Sequence, residues 1–180
     1  GEVVLGNILS QRSQKPGQSQ ILSLLETMLV PISQTVDMTP EDQIATFVKD
    51  ACERRTVGPE NAFFDSTGRG SLMNSFGRIW SPQVNGIEFG GQPSENKVSV
   101  DIDVTCKDYY SKFVSELWFN VSYVIQSGQF RGMTEEMMAE GCFREWGMVA
   151  GNRIEVETKD KMKLKSGRSP DLFDALVCGV

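Results

Sequence analysis

The sequence contains no histidine among its 180 residues. Ser-His-Asp and Cys-His catalytic sites are therefore excluded, as is any zinc site built on imidazole. Acid–base and metal chemistry would have to use carboxylates, lysines, tyrosines or bound water. Because carboxylate oxygens are hard ligands, they favour Mg²⁺ or Mn²⁺ as the metal.

Other missing features narrow the class of protein further. No apolar run approaches the roughly 18–20 residues that cross a bilayer, and no segment has the GxxxxGK[ST] spacing of an ATP-binding P-loop. The four cysteines form no CxxC pair, so we expect buried thiols in a reducing, cytoplasmic setting. The net charge of −6 argues against broad non-specific binding to nucleic acid, although one local segment is basic.

Helical and strand patterns alternate along the chain, which predicts one α/β domain over residues 1–180. Helices are predicted over about 40–55, 71–80, 107–127 and 134–140, with a last helix at the carboxyl end. Strands are predicted over 1–10, 61–65, 86–90 and 153–157. We expect a loop at 11–20, a short helix or a strand at 21–36, and a hairpin or loop at 92–104.

Asp65 ends an apolar strand and precedes a glycine-rich turn and a helix. In open α/β sheets, ligand sites gather at the carboxyl ends of strands, which favours a functional carboxylate here. Capping of the 71–80 helix explains the same aspartate equally well.

The sequence Ser169-Pro170-Asp171 predicts a helix start, with Ser169 as N-cap. Asp171 and Asp174 then fall in the opening turns, three residues apart and on one face. Their carboxylates would complement the helix dipole. The functional interpretation is that Asp171 is held rigidly as a ligand for a divalent cation, with Asp174 supporting it or capping the helix.

A basic segment precedes this helix and carries five positive charges. In an extended conformation its alternating lysines would point to one side, as they also would in a solvated surface strand. Next to a carboxylate metal site, a phosphate-binding edge is the favoured interpretation. The five residues are Lys159, Lys161, Lys163, Lys165 and Arg168.

Other acidic residues are expected to be structural. Asp101 and Asp103 alternate with apolar residues, so a half-exposed strand explains them better than a metal-binding pair does. Lys112 and Glu116 are expected to pair on a helix surface. Three glutamates are expected on the wet face of a short helix, namely Glu135, Glu136 and Glu140.

Four segments in order resemble the nuclease domain of the large terminase subunit of tailed bacteriophages, the DNA-packaging motor. The resemblance is convincing over residues 58–180, and over 1–57 it extends only to the general layout. The segments are FFDSTGRG at 63–70, YSKFVSELW at 110–118, IEVETKDK at 154–161 and SPDLFDAL at 169–176.

The resemblance implies a ribonuclease H-like fold, a mixed sheet flanked by helices. It implies that Asp65 and Asp171 are two of three acidic ligands for a pair of Mg²⁺ or Mn²⁺ ions, with Asp174 a weaker candidate. The implied activity is two-metal hydrolysis of concatemeric double-stranded DNA in the cytoplasm of an infected bacterium. The implied partners are the ATPase domain, the small terminase subunit and the portal, and the isolated domain would be a monomer.

The chain departs from the family pattern at its beginning. The first acidic ligand normally lies on a strand ahead of the one that residues 1–10 resemble, so this strand and its acid are expected to be missing, with Glu2 a poor substitute. Two alternatives therefore stay open. One is another ribonuclease H-like nuclease of the resolvase or transposase type, and the other is a catalytically silent domain that grips DNA or docks on the portal.

Overall fold

The computed structural model describes residues 4–11, 21–99 and 102–180 of the chain. Its strands and helices alternate, as the sequence predicts. The strands are β1 (Val4–Gln11), β2 (Ile21–Leu29), β3 (Phe63–Asp65), β4 (Asn85–Ile87), β5 (Phe130–Arg131), β6 (Trp146–Val149) and β7 (Arg153–Val156). The helices are α1 (Pro40–Glu53), α2 (Gly70–Ile79), α3 (Cys106–Tyr109), α4 (Phe113–Gln126), α5 (Glu135–Phe143), α6 (Lys159–Ser166) and α7 (Asp171–Cys178).

The described strands form three small sheets with mixed directions. β1 and β2 pair antiparallel, with a bulge between Asn7 and Ile8, and β5 adds to β2 in parallel. β3 and β4 pair in parallel, and β6 and β7 pair antiparallel. The last helix, α7, packs against β1 and β3, so it joins two of these sheets.

The core consists of two main apolar clusters. One lies between α4, α5 and α7 and includes Trp118, Val121 and Leu176. The other lies between α1 and α2 and includes Val48 and Phe76. The first cluster includes Phe173, Leu176 and Val177 of α7, the helix on which two of the predicted site residues lie.

Helix α1 begins as predicted. Pro40 occupies its first turn, and the Thr39 hydroxyl accepts a hydrogen bond from the Asp42 amide at 3.2 Å. This contact satisfies one of the amides that have no partner inside the helix. The Asp42 carboxylate accepts from Ser75 at 2.6 Å and from Arg78 at 2.5 Å, which ties α1 to α2.

The predicted helix over 107–127 is interrupted, which corrects the sequence prediction. α3 ends at Tyr109, and α4 begins only at Phe113. Between them, Tyr110 forms a parallel bridge with Ile154, and the Ser111 amide donates to the Ile154 carbonyl at 2.9 Å. Because β7 supplies these partners, the backbone leaves the helix here even though the apolar spacing continues.

The basic segment is also different from the prediction, because it is the helix α6 and not an extended strand. The Thr158 hydroxyl caps its beginning by accepting from the Lys161 amide at 3.4 Å. Gly167 ends the helix with a left-handed φ of 70°, a conformation that glycine adopts without steric cost. Lysines two apart on a helix lie on different faces, so the basic residues do not form one edge.

Residues 21–29 are the strand β2, which resolves the ambiguity between helix and strand in that region. The predicted loop at 11–20 lies almost wholly outside the described residues, as does Asp101. None of the helices in the described part of the chain has the length and apolar character needed to cross a bilayer.

Candidate active site

The carboxylates of Asp65 and Asp174 converge on the ammonium group of Lys159. Lys159 Nζ lies 3.1 Å from Asp65 Oδ2 and 2.8 Å from Asp174 Oδ2. The three residues come from the end of β3, the start of α6 and the first turn of α7. Only the folded chain brings them together.

Asp65 is held by its own turn. Its Oδ1 accepts from the Thr67 amide at 3.1 Å, while its Oδ2 faces Lys159. Helix α2 has Arg69 at its N-cap position and no side-chain cap. Asp65 therefore does not cap that helix, which removes the structural alternative for this residue. The Thr67 hydroxyl accepts from the Phe89 amide at 3.0 Å and fixes the turn to the segment after β4.

Asp174 is almost completely buried, with 3% of its surface exposed. Its Oδ1 accepts from the Trp118 indole and from Arg144 Nη1, both at 3.1 Å. Its Oδ2 forms the ion pair with Lys159 but accepts no hydrogen bond of regular geometry within the described residues. A buried carboxylate oxygen with spare acceptor capacity, next to a second carboxylate, fits the donor set of a Mg²⁺ or Mn²⁺ site.

Burial and neighbouring opposite charges shift the pKa values of this cluster in opposite directions. Burial raises the pKa of Asp174 above its usual value, although Lys159 and Arg144 oppose the shift. Burial alone would lower the pKa of Lys159, but the Asp174 and Asp65 carboxylates outweigh it and the pKa is raised. Burial, followed by these two carboxylates, raises the pKa of the nearby Cys178 thiol to about 12. Lys159 is therefore a stable cation between the two acids.

Asp171 lies elsewhere, at the first position of α7, and is exposed. It lines a cavity of about 550 Å³ together with Arg168, Glu136 and Glu140. It forms no hydrogen bond or ion pair through its side chain with the residues that the structure describes. Although Asp171 and Asp174 are three apart, one faces solvent and the other faces Lys159.

The beginning of α7 differs from the prediction. Pro170, and not Ser169, occupies the N-cap position, and no side chain at that position caps the helix. The Glu140 carboxylate of α5 instead accepts from the Phe173 amide at 2.9 Å. Glu140 was expected on a wet helix face, but burial raises its pKa and it satisfies an amide of the first turn of α7.

The five basic residues have different surroundings. Lys159 belongs to the carboxylate cluster, and Lys165 pairs with Glu145 and Glu157 at 2.7 Å each. The other three are exposed, and their side chains form no ion pair with the described residues: Lys161, Lys163 and Arg168.

Several residues of the site region were not found by sequence reasoning. Trp118 and Arg144 carry no local signal, because their role depends on contacts with α7. Glu116 is buried and accepts from the Ser94 amide and hydroxyl at 2.6 Å each, so the expected surface pair with Lys112 is wrong. Lys112 pairs with Glu155 at 3.0 Å.

Asp103 is exposed and pairs with Lys97 at 2.7 Å, so no metal-binding pair with Asp101 is described. Within residues 21–99 and 102–180, no group of three Asp, Glu or Cys side chains is arranged to hold a metal ion. In the described part of the chain, Asp65 and Asp174 are therefore two converging carboxylates without a third acidic side chain beside them.

The structure is similar to solved structures of the nuclease domain of the large terminase subunit gp2 of bacterial virus Sf6. That domain is 15% identical, the match covers 99% of this chain and 88% of that one, and the TM-score is 0.65. A lysine-to-alanine variant of that domain, with manganese and beta-thujaplicinol, is 14% identical. The match covers 99% of this chain and 88% of the variant, with a TM-score of 0.63. A variant with calcium is also 14% identical, and the match covers 88% of this chain and 78% of the variant, with a TM-score of 0.62.

No protein-family model and no curated protein sequence matches the chain. Identities of 14–15% establish the fold alone. The chain therefore shares the α/β fold of these terminase nuclease domains, and this confirms the fold class that its motifs predicted. Among the described residues its parallel and antiparallel strand pairs form three small sheets with helices around them.

Proposed function

We propose that this protein is a metal-dependent endonuclease domain of a viral DNA-packaging terminase that cuts concatemeric double-stranded DNA. The observation that carries the proposal is the convergence of Asp65 Oδ2 and Asp174 Oδ2 on Lys159 Nζ. Two carboxylates at the end of a strand and on the adjoining helix, in a fold shared with solved nuclease domains, form a place where a cation is favoured.

In this proposal, Asp65 and Asp174 would hold Mg²⁺ or Mn²⁺, and a pair of such ions would supply activation of the attacking water and stabilisation of the leaving oxygen. Asp174 is the better partner for Asp65, because both oxygens face the same ammonium and Asp174 Oδ2 has spare acceptor capacity. Asp171, the stronger of the two α7 candidates from the sequence, is proposed to lie outside this carboxylate pair, in the cavity that it lines together with Arg168. Lys159 keeps the two carboxylates charged and close together.

Double-stranded DNA is the proposed substrate, and the exposed residues of the basic segment are the proposed contacts with its backbone. Lys161, Lys163 and Arg168 follow Lys159 in the chain, and their side chains form no ion pair within the described residues. Charges of this kind neutralise phosphates and position the duplex without reading its sequence.

The cellular setting follows from the same proposal. The domain would act in the cytoplasm of an infected bacterium, within a packaging motor that includes the ATPase domain, the small terminase subunit and the portal. Isolated, it would be a single monomeric domain.

A second candidate function is a catalytically silent domain that grips DNA or docks on the portal. The specific observation that favours it is that Lys159 and Arg144 already supply two positive charges to the two carboxylates, so the charges of the cluster balance without a metal.

Plasmid nicking in Mn²⁺ separates the two functions. We expect Asp65→Asn and Asp174→Asn each to lower the nicking rate at least a hundredfold, while Asp103→Asn, an exposed aspartate with a surface ion pair, matches the parent. Asp171→Asn tests the rank of the two α7 aspartates and is expected to lose less activity than Asp174→Asn. A parent protein that binds DNA but does not nick it would support the silent domain. Nicking that is unchanged in Asp65→Asn and in Asp174→Asn would contradict the proposed active site.

A further inference from the structure

Arg144 is a buried arginine that sequence reasoning did not single out. It follows α5, and its side chain is only 3% exposed. Burying a guanidinium is costly unless it is paired and hydrogen-bonded, so its contacts identify what it does.

The Arg144 side chain makes three contacts on three different elements. Nη1 donates to Asp174 Oδ1 at 3.1 Å, and Nε donates to the Glu157 carbonyl at 2.8 Å. The guanidinium carbon lies 4.4 Å from the centroid of the Trp118 ring. A planar, stacked and doubly hydrogen-bonded guanidinium is a rigid support that lysine cannot reproduce.

These contacts determine which oxygen of Asp174 faces the proposed metal site. Arg144 and the Trp118 indole both donate to Oδ1, so the carboxylate plane is held from one side. The other oxygen, Oδ2, is thereby directed at Lys159, which also contacts Asp65. Two donors on one oxygen thus leave the other oxygen for the site.

Arg144 also binds the backbone just before Lys159. The Glu157 carbonyl that it binds lies between β7 and α6, two residues before Lys159. One guanidinium therefore connects the aspartate of α7 to the segment that carries the lysine.

We propose that Arg144 is the positioning residue for Asp174, holding its Oδ1 so that Oδ2 and Lys159 keep the geometry of a divalent-cation site. The inference rests on the proposed function for the identity of the ligand, but not for the position of the carboxylate. Partners that orient metal ligands typically change metal affinity by about 10- to 100-fold when they are removed.

The first test measures Mn²⁺ binding to the full chain by calorimetry. We expect Arg144→Lys, which keeps a cation but loses the planar contacts, to raise the Mn²⁺ dissociation constant about tenfold or more. The matched control is Arg153→Lys, at the other end of β7, which is expected to bind as the parent does. Parent-like Mn²⁺ affinity in a folded Arg144→Lys would overturn the proposal.

The second test does not depend on metal. A crystal structure of metal-free Arg144→Lys is expected to show the Asp174 carboxylate rotated, with Oδ2 no longer directed at Lys159. An unchanged Asp174 would overturn the positioning role even if the variant were less stable. Absence of Mn²⁺ binding in the parent would count against the proposed metal function, while the crystal structure would still decide the role of Arg144.

Discussion

Asp65 and Asp174 lie far apart in the chain but share one ammonium group, that of Lys159, at 3.1 and 2.8 Å. The lysine screens two carboxylates that would otherwise repel each other. This relationship makes the cluster stable without a metal and defines the place that a divalent cation would have to enter.

Replacing Lys159 with methionine should expose this repulsion. We expect Lys159→Met to lower the free energy of unfolding by about 2 kcal/mol in EDTA, because one partner of a largely buried ion pair is removed. Mn²⁺ should then raise the thermal midpoint more in the variant than in the parent, since the metal replaces the missing charge. Calorimetric melting with and without Mn²⁺ measures both, and Lys163→Met is the surface control. Equal Mn²⁺ effects in parent and variant would contradict the shared site.

The exposed lysines of α6 should contribute to DNA affinity without sequence preference. Neutralising Lys161 and Lys163 together should weaken binding to all duplexes alike and reduce the slope of log K against log salt by about 2, because each phosphate that is no longer neutralised lowers the slope by about 1. Fluorescence anisotropy over a range of salt concentrations gives the slope. The control is neutralisation of Lys49 and Lys97, which already pair with carboxylates elsewhere. An unchanged slope would mean that neither lysine contacts the DNA.

Ionised Glu155 should raise the free energy of unfolding at neutral pH, and this contribution should be lost in acid. The Ser111 hydroxyl and then Lys112, with a smaller effect of Lys161, hold the pKa of this carboxyl below its usual value. A lowered pKa stabilises the folded state above the unfolded pKa of about 4.3, and the gain is lost as pH falls through the folded value.

Urea denaturation at several pH values measures this contribution. Glu155→Gln should cost about 1 kcal/mol or less at pH 7, and the difference from the parent should shrink towards pH 3. Glu53→Gln, on the exposed part of α1, is the surface control. A difference that is constant with pH would show that packing, and not ionisation, makes Glu155 stabilising.

Two helical glycines should respond in opposite directions to the same change. A methyl group at Gly141, in α5, would overlap the ring of Phe173, which precedes Asp174, so Gly141→Ala should destabilise by about 1–3 kcal/mol. Gly77, in α2, has open space around its Cα, so Gly77→Ala should stabilise by about 0.5–1 kcal/mol. Chemical denaturation compares the two, and destabilisation by both would contradict the packing of α5 on α7.

Local signals predicted elements well where the partners are close in sequence. Thr39 and Pro40 start α1 as their cap chemistry requires, and Asp65 ends β3. Prediction failed where a distant segment supplies the hydrogen bonds. Tyr110 and Ser111 pair with Ile154 and therefore leave the predicted helix. At the start of α7, Glu140 accepts the hydrogen bond from a first-turn amide that Ser169 was expected to accept.

The sequence alone determined the kind of chemistry that is open to this protein. With no histidine, acid–base and metal chemistry had to use carboxylates, lysines, tyrosines or bound water, and the resemblance of four motifs in order predicted the ribonuclease H-like fold. Tertiary structure decided which residues meet. Asp174 and not Asp171 faces Asp65 across Lys159, and Arg144 supports it, because burial and orientation depend on the packing of α4, α5 and α7 and not on spacing along one helix.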